Sequence, residues 1–393
     1  MARLLFWLML GAFALGTEGF VIAGILPALA ADLQVTVAQA GQLVTIFALV
    51  YAVAAPVLAV LAAPYRREHV LRFAMAGFAL ANVAAALAPG FFWLAAARAL
   101  LAVFAGLYMG TAGGYAAMAV PPEQRGRAMS FLYMGMTAAT IIGVPAGTWV
   151  GNALGWRATF GAVAAIAAVA LAGLCLPRPL QPVMPTPTLA QRIAIARQSD
   201  VLRGLLVTAT VFAGAFAVYT YLAPLLQEAA DLPPGWTGWV LMLFGVAGAV
   251  GNTAGGHLAD RKGPAWVVRR SPALLAALYV AMALAVAWLP ARQSLWLLLG
   301  MVAVWGFAGW AFAPAQQIAL MRLAPQAPPI VLSLNASAMY LGISLGAFMG
   351  SLAVAHASVR AVPWVGLAFE LAALAIVFGT GRAAAVAPAP VRP

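Results

Sequence analysis

Residues 13–30, FALGTEGFVIAGILPALA, are apolar apart from Thr17 and Glu18. A helix of about 20 mostly apolar residues crosses the roughly 30 Å hydrocarbon core of a bilayer. A secretory signal would hold only about 7 to 15 such residues, although Arg3 and the ALA sequence at 28–30 are otherwise typical of one. The stretch therefore predicts a first membrane span that carries a carboxylic acid.

The same apolar pattern continues along the whole chain. Of its 393 residues, 65% are hydrophobic and 8% are charged, whereas about a quarter of the residues in a soluble domain are charged. The runs are too long and too uniformly apolar for membrane β-strands, which alternate over about 10 residues. The sequence predicts an all-α membrane protein with twelve transmembrane spans, at residues 4–27, 41–62, 70–88, 92–119, 128–152, 157–176, 204–226, 236–255, 272–289, 294–321, 330–355 and 361–381.

Positive charge is distributed unevenly between the two sides of the predicted bundle. The net charge is +12, and 17 of the 21 Lys and Arg residues fall on the side of the N-terminus. Arg157, Arg292 and Arg360 fall on the other side, and Arg98 lies within a span. Because cytoplasmic loops carry such an excess, we expect a multi-pass protein of the plasma (inner) membrane with both termini in the cytoplasm. The positive charge is concentrated in the predicted cytoplasmic segments, and this distribution explains it without a nucleic-acid partner.

The chain contains two copies of one pattern. PALAADL at 27–33 matches PLLQEAADL at 224–232, and VFAGLYMGTAG from 103 matches GFAGWAFAPAQ from 306. Such internal repeats are common in secondary transporters. The matches predict two pseudo-symmetric six-helix bundles, residues 1–176 and 204–393. A cytoplasmic linker at 177–203 joins them, and its prolines prevent a continuous helix.

Spans 5 and 11 each carry three glycines four residues apart. They are Gly143, Gly147 and Gly151 in span 5 and Gly342, Gly346 and Gly350 in span 11. Small residues at this spacing let helix backbones approach closely in lipid. The rows predict tight static packing, sliding of spans 5 and 11 across the interface between the two halves, or both.

Several motifs resemble those of the major facilitator superfamily. The loop GHLADRKGP at 256–264 resembles its loop signature, LLAVFAG after Arg98 resembles its span 4 motif, and GVPAGTWVG from Gly143 resembles the span 5 motif of its antiporters. GTEGFVIAGILP, PPEQRGRAM, LGWRATF and LNASAMYLG resemble the twelve-span drug:proton antiporter and sugar-efflux branch. Together these motifs cover nearly the whole chain, so the resemblance implies the major facilitator fold.

The resemblance assigns gating roles to two groups of residues. They are Gly256, Asp260, Arg261 and Gly263 in the signature loop, and Gly143, Pro145 and Gly147 in span 5. The first-half counterpart of the loop, VLAAPYRREHV, has Ala63 where aspartate is usual and lacks the leading glycine. We therefore expect Asp260 to carry a gating contact alone, through Arg322 or the positive N-terminal end of span 5 near Gly126.

Glu18 and Arg98 are the charged residues inside the first half. Glu18 lies 14 residues after Leu4, roughly 21 Å along the helix, where an ionised acid costs at least about 2.5 kcal/mol. We expect Glu18 to face a water-filled cavity and to bind a proton or a cationic substrate group, or else to be a protonated acid that hydrogen-bonds a neighbouring helix. The resemblance implies that Arg98, which aligns with Met301, assists proton transfer. Alternatively, Arg98 bonds backbone carbonyls and pins spans 1 and 4.

Glu370 is a third intramembrane charge, midway along span 12. In the fold that the resemblance implies, span 12 is a peripheral support helix, and the family motifs do not nominate this acid. We expect Glu370 to stay protonated and to hydrogen-bond an adjacent span.

Aromatic side chains with a few hydrogen-bonding groups are the candidates for a substrate site. Trp305, Phe312 and Gln316 share one face of span 10. Walls of this kind suit a moderately apolar or sugar-like ligand, although an aromatic stripe also serves core packing. The other candidates are Tyr108 and Tyr115 in span 4, Tyr219 and Tyr221 in span 7, and Asn335 and Tyr340 in span 11.

The sequence lacks the phosphate-binding GxxxxGK motif and the zinc motif HExxH, and its single cysteine, Cys175, excludes a disulfide within the chain. We expect a monomeric secondary transporter without cofactor or metal, whose partners are a small-molecule substrate, protons and the lipid bilayer. The preferred function is proton-coupled export of small organic molecules, such as drugs or sugar-like compounds, by alternating access. The alternatives are a proton-coupled uptake symporter or facilitator and, outside transport, a membrane receptor or enzyme.

Overall fold

A computed structural model describes residues 2–176 and 188–379 of the chain. Within these ranges the chain is helical with short connections. The α-helices are α1 (Ala2–Asp32), α2 (Val37–Leu61), α3 (Arg67–Ala86), α4 (Phe91–Met118), α5 (Arg125–Ala138), α6 (Val144–Leu154), α7 (Trp156–Leu174), α8 (Leu189–Ala196), α9 (Ser199–Tyr219), α10 (Leu222–Ala230), α11 (Thr237–Lys262), α12 (Pro264–Trp288), α13 (Ala291–Leu323), α14 (Pro328–His356) and α15 (Val362–Gly379).

Twelve helical stretches in the described residues are long and apolar enough to cross a membrane, which confirms the predicted spans. Several helices extend beyond the apolar run that predicted them. Span 2 begins at Val37 rather than at 41, because the Thr36 hydroxyl accepts a hydrogen bond from the Gln39 backbone N–H, and the Gln39 side chain accepts one from the Thr36 N–H. Hydropathy marks the membrane-embedded part of a helix, whereas such caps mark where the helix begins.

Span 5 consists of α5, a π turn at Ala139–Gly143 and α6. Pro145 has no backbone N–H, so the carbonyl of Ile141 lacks its usual donor four residues later. The π turn widens the helix at this point. The Thr140 carbonyl faces Gly245 of span 8, where an added Cβ would collide with it. Spans 5 and 8, from different halves, therefore approach to backbone contact at mid-depth.

The two halves repeat one set of helix contacts, which confirms the pseudo-symmetric six-helix bundles. In the first half span 1 packs on spans 5 and 6, span 4 on spans 2 and 3, and span 3 on span 6. In the second half span 7 packs on spans 11 and 12, span 10 on spans 8 and 9, and span 9 on span 12. Each pairing in the first half thus has its counterpart six spans later.

The glycine rows of spans 5 and 11 lie inside the halves and not between them. A Cβ at Gly143, Gly147 or Gly151 would collide with a side chain of span 1, namely Thr17, Val21 or Ile25. A Cβ at Gly342, Gly346 or Gly350 would collide with a backbone carbonyl of span 7, namely that of Ala209, Ala213 or Ala217. These rows are tight packing faces of spans 5 and 11 against spans 1 and 7. Sliding of spans 5 and 11 at the interface between the halves stays a prediction.

Successive spans run in opposite directions, so the connections between them alternate between two sides of the bundle. We call the side with Leu4, Lys262 and Gly379 the terminal side and the side with Asp32 and Leu154 the far side. The short helix α8 lies on the terminal side, where Arg192 Nη1 donates to Ser333 Oγ of span 11 at 2.6 Å. Residues 177–187 of the predicted linker lie outside the described residues, and so do residues 380–393, which include the end of predicted span 12.

The halves close against each other on the far side. Gln42 of span 2 donates a hydrogen bond to Ser351 of span 11. Asn152 Nδ2 donates to the Pro234 carbonyl at 3.0 Å, and the rings of Trp149 and Trp239 lie 4.7 Å apart. Both interfaces between the halves, span 2 with span 11 and span 5 with span 8, are therefore sealed at this side.

Tyr133 of span 5 lies on the terminal side of the π turn. It is close enough to Tyr51 and Tyr340 for electrostatic interaction, yet 52% of its surface is exposed, whereas Tyr51 and Tyr340 are 7% and 9% exposed. An inward-facing side chain can be exposed only where the halves have separated. The conformation is thus closed on the far side and open on the terminal side down to the depth of Tyr133.

Candidate functional site

Glu18 and Arg98 form a buried ion pair in the first half. Arg98 Nη1 contacts Glu18 Oε1, and both side chains are completely inaccessible to solvent. Arg98 Nε also donates to the Leu43 carbonyl at 3.3 Å, and Nη1 to the Glu18 carbonyl at 3.3 Å. The guanidinium lies 4.3 Å from the centre of the Phe47 ring. Arg98 therefore links spans 1, 2 and 4.

The ion pair is incompletely satisfied. Glu18 Oε2 and Arg98 Nη2 are buried and have no hydrogen-bond partner among the described residues. Removing one member of a buried pair costs about 3–5 kcal/mol when the remaining group stays charged. Arg98 bonds backbone carbonyls and joins spans 1 and 4, as one of its two alternatives predicted. Its role in proton transfer stays a prediction.

Tyr340 of span 11 brings the second half to this pair. Its ring stacks on that of Tyr51, with centroids 3.7 Å apart and planes 25° apart. Tyr340 lies within electrostatic range of both Glu18 and Arg98. Tyr340 was predicted from the sequence, but its partners Phe47, Tyr51 and Tyr133 were missed. An aromatic residue in a uniformly apolar span gives no signal of whether it faces lipid or the interface.

An aromatic cleft lies between the halves. It is lined by the first-half residues Phe20 and Thr140 and by Val211, Phe212, Ala215, Phe216, Tyr219, Phe244, Trp305, Gly309 and Trp310 of the second half. Phe20 contacts Phe216 and Tyr219 across the interface, with ring centroids 5.8 and 6.3 Å apart. Since its walls come from both halves, any relative movement of the halves changes its shape.

The predicted substrate residues fall into different environments. Tyr219 and Trp305 line the cleft, and Phe312 packs behind it against Phe212. Tyr108 donates its hydroxyl to the Leu8 carbonyl, and Tyr221 to the Ala347 carbonyl, each at 3.0 Å. These two hydroxyls fasten neighbouring helices within one half. Tyr115 lies away from the cleft, in a small pocket with Glu68 and Arg72.

Gln316 and Asn335 take part in a network inside the second half. Thr208 donates to Asn335 Oδ1 at 2.7 Å, and Gln316 Nε2 donates to the Gly204 carbonyl at 2.7 Å and to Thr208 Oγ1 at 3.1 Å. The network joins spans 7, 10 and 11. The lining of the cleft includes neither Gln316 nor Asn335, so the shared face predicted for span 10 belongs partly to core packing.

The predicted gating loop lies on the terminal side. Gly263 has φ +85°, a left-handed conformation that favours glycine, and it allows the sharp turn between spans 8 and 9. Asp260, Arg261 and Arg322 are exposed. Among the described residues no ion pair involves Asp260, so its predicted contact with Arg322 or the Gly126 region is not formed in this conformation. Gly256 and Gly126 both have open space around them.

Glu370 departs from its prediction. It is completely buried in span 12, but neither of its carboxyl oxygens has a hydrogen-bond partner among the described residues. The predicted hydrogen bond to an adjacent span is therefore wrong. Within the same residues no group of three or more His, Cys, Asp or Glu side chains is placed to hold a metal ion.

Twelve spans in two repeated bundles, with a central cleft lined by both halves and closed on one side, define a membrane transporter. Residues 8–347 match the sequence profile of the Major Facilitator Superfamily. The chain belongs to this superfamily, and is a transporter and not an enzyme.

Two relatives and one solved structure illustrate the match. The chain is 35% identical to the inner membrane transport protein YdhP of Escherichia coli K12 over 95% of each sequence. It is 33% identical to a chloramphenicol resistance protein of Streptomyces lividans, again over 95% of each. A bacterial homologue of the human lysosomal transporter Spinster, solved in an inward-facing and unoccupied conformation, superimposes with a TM-score of 0.80 at 18% identity, covering 97% of both chains. The last likeness concerns the fold alone.

Proposed function

We propose that the protein exports small organic molecules in exchange for protons, and that Glu18 is the coupling site. One observation carries the proposal: a completely buried acid is paired with Arg98 and keeps one carboxylate oxygen free. Ionisable groups inside membrane spans are expensive and are functional by default. Here the acid also lies within reach of Tyr340, which belongs to the half that must move.

The ion pair indicates which protonation state goes with the conformation seen here. Glu18 attracts Arg98 fully only as a carboxylate, so the open terminal side corresponds to a released proton. Protonation of Glu18 removes the charge attraction and loosens the link between spans 1 and 4. The contact of Arg98 with the Leu43 carbonyl in this conformation does not depend on the charge of Glu18. Proton binding therefore acts on the position of span 1, which also contributes Phe20 to the cleft.

We propose that the protein works by alternating access, in which the interfaces between the halves open on the far side when they close on the terminal side. We place the terminal side in the cytoplasm on the positive-inside rule. Substrate then loads from the cytoplasm while Glu18 is deprotonated. Opening the far side requires separation of Gln42 from Ser351 and of Trp149 from Trp239, while the terminal side closes and gives Asp260 a partner. A proton entering from outside moves down a gradient worth about 2.3 kcal/mol per charge for each 100 mV of potential.

The cleft favours apolar, aromatic substrates over sugars. Seven of its eleven lining residues are Phe, Tyr or Trp, and such rings bury large apolar area. Sugars need many polar partners, whereas this lining offers Thr140, Tyr219 and two tryptophan N–H groups. The name of the Streptomyces relative, a chloramphenicol resistance protein, supports export of a drug-like compound.

The proposal also covers the domain boundaries, the oligomeric state and the location of the protein. We propose bundle boundaries at 1–176 and 204–393 with a linker between them, a monomer, and the plasma membrane as location. Span 7 begins at Ser199, so the end of the linker is helical and continuous with the second bundle.

Transport in proteoliposomes tests the function. Purified protein is reconstituted, an inward-acid or outward-acid pH gradient is imposed, and movement of chloramphenicol or of an aromatic dye is followed together with internal pH. If export is coupled to protons, substrate and protons move in opposite directions, and reversing the pH gradient reverses the direction of substrate movement. Movement in the same direction would establish the uptake symporter instead. Substrate movement that ignores the gradient would establish a facilitator.

A further inference from the structure

Glu370 is a buried acid that the Glu18 mechanism does not use. It lies in span 12, completely buried, and both carboxyl oxygens lack a partner among the described residues. An ionised carboxylate without a compensating partner would cost several kcal/mol here. The acid is therefore neutral in this conformation and holds a proton.

Two glycines create the niche that contains this acid. Span 7 approaches span 12 so closely that a Cβ at Gly214 would collide with Glu370 Oε1 and would touch the Gly366 carbonyl. One turn earlier in span 12, Gly366 faces the Tyr279 ring of span 9. The carboxyl group is thus enclosed by spans 7, 9 and 12, and span 7 covers it at Gly214.

Static packing does not explain an acid at this position. A structural polar residue inside a membrane protein contributes by hydrogen-bonding a neighbouring helix, and Glu370 makes no such bond. The Tyr279 side chain, which faces the same region, is buried and gives Glu370 no hydrogen bond either. A leucine would fill comparable space without the desolvation cost. A completely buried acid whose two oxygens lack a partner among the described residues indicates a site whose partners arrive in another state.

The acid lies directly behind the aromatic cleft. Tyr279 contacts Trp305 edge to face, with ring centroids 6.1 Å apart, and Trp305 lines the cleft. Tyr219, which also lines the cleft, lies on span 7 beyond Gly214. A ligand that displaces Trp305 or span 7 therefore disturbs the surroundings of Glu370.

Few other ionisable groups face this acid. The charged side chains of the neighbouring elements lie near helix ends, and Tyr279 is the titratable group directed at it, with Tyr219 and Tyr340 farther along spans 7 and 11. The charged residues near the ends are Asp200 and Arg203 of span 7, Arg269 and Arg270 of span 9, His356 of span 11 and Arg360 before span 12.

We propose that Glu370 is a second intramembrane proton site, occupied in the conformation seen here and emptied when opening of the far side moves span 7 against span 12. Movement of span 7 admits water to the niche, the carboxyl O–H bond breaks, and the proton passes to that water. The carboxylate is then hydrated and can accept a hydrogen bond from Tyr279. The site is independent of Glu18, so it holds whether or not Glu18 couples transport.

Infrared difference spectroscopy of purified protein tests the proposal directly. The carboxylic C=O band of Glu370 is assigned by its loss in Glu370→Gln, and Glu370→Asp, which keeps the acid, confirms the assignment by moving the band. Glu18→Gln removes any contribution of the first acid. The spectra are recorded across the pH range in which the protein stays folded.

A cross-linking experiment distinguishes an acid that releases its proton from one that is permanently protonated. Cysteines at Trp149 and Trp239, in a Cys175→Ser background, are joined by a short bifunctional reagent to hold the far side closed. We expect the Glu370 band to fall as pH rises in the free protein and to stay constant in the cross-linked protein. A band that is constant in both would show permanent protonation and overturn the proposal. A band that falls equally in both would show that proton release does not need the far side to open, and would overturn the proposal.

Discussion

Tyr51 of span 2 and Tyr340 of span 11 stack with their ring centroids 3.7 Å apart, so the two halves meet at mid-depth through an aromatic pair. Tyr340 is at the same time within electrostatic range of Glu18 and Arg98. Tyr340 therefore brings a side chain of the second half into electrostatic range of the protonatable group of the first half.

Tyr340→Phe keeps the stacked ring and removes the hydroxyl beside the ion pair. We expect folding stability to change by no more than about 1–2 kcal/mol, but the pH dependence of gradient-driven transport to shift. Tyr221→Phe is the matched control, because its hydroxyl bonds the Ala347 carbonyl within the second half. Identical pH profiles for wild type and Tyr340→Phe would mean that Tyr340 only packs.

Glu18→Gln removes the titration while keeping the shape and a hydrogen-bond acceptor for Arg98. The protein should fold and insert, lose uphill transport driven by a pH gradient, and retain exchange of labelled for unlabelled substrate. Glu18→Asp should keep part of the coupling, because the acid survives with one methylene less. Uphill transport by Glu18→Gln with the wild-type pH dependence would contradict the coupling role and leave Glu370 as the acid to test.

Leucine substitutions of the ion pair should have unequal costs. Glu18→Leu leaves a buried guanidinium that cannot lose its proton, so it should destabilise the fold by about 3–5 kcal/mol. Arg98→Leu leaves an acid that can be neutralised by a proton, so it should destabilise the fold less. The double variant should recover much of the loss. Thermal unfolding of detergent-purified protein measures all three, and additive losses would exclude a direct interaction.

Asp260→Asn should favour the conformation seen here, because Asp260 has no ion-pair partner among the described residues in this state and gains one only when the terminal side closes. In a Cys175→Ser background, a cysteine at Tyr133 reports opening by its rate of labelling. That rate should rise in Asp260→Asn. Asp200→Asn is the control, since Asp200 is another exposed acid on the terminal side, 3.6 Å from Arg203. Equal rates in all three proteins would exclude a gating role.

Labelling in intact cells tests the orientation. In the Cys175→Ser background, a cysteine at Ser199 should be protected from an impermeant external thiol reagent, and a cysteine at Gln34 should react. Both positions are exposed, on the terminal and far sides respectively. The reverse pattern would place the termini outside and would invert the proposed direction of transport.

The sequence by itself determined the number of spans, their duplication and the two deepest charges of the first half. Hydrophobic runs of this length have one stable arrangement in lipid, because every backbone polar group must be satisfied within its own helix. For the same reason Glu18 and Arg98 were recognisable as functional candidates, since a charge inside a span is conspicuous without knowledge of its neighbours.

Only the tertiary structure decided which face of each span meets which neighbour. The glycine rows pack inside the halves, Gln316 and Asn335 bond to Thr208, Tyr51 joins the site, and Glu370 stands without a hydrogen bond. Spans such as span 2 are apolar on all sides, because lipid and protein interior are equally apolar, so hydropathy does not distinguish a lipid-facing residue from an interface residue. The direction of each side chain is set by packing between spans distant in sequence, and those contacts leave no local pattern.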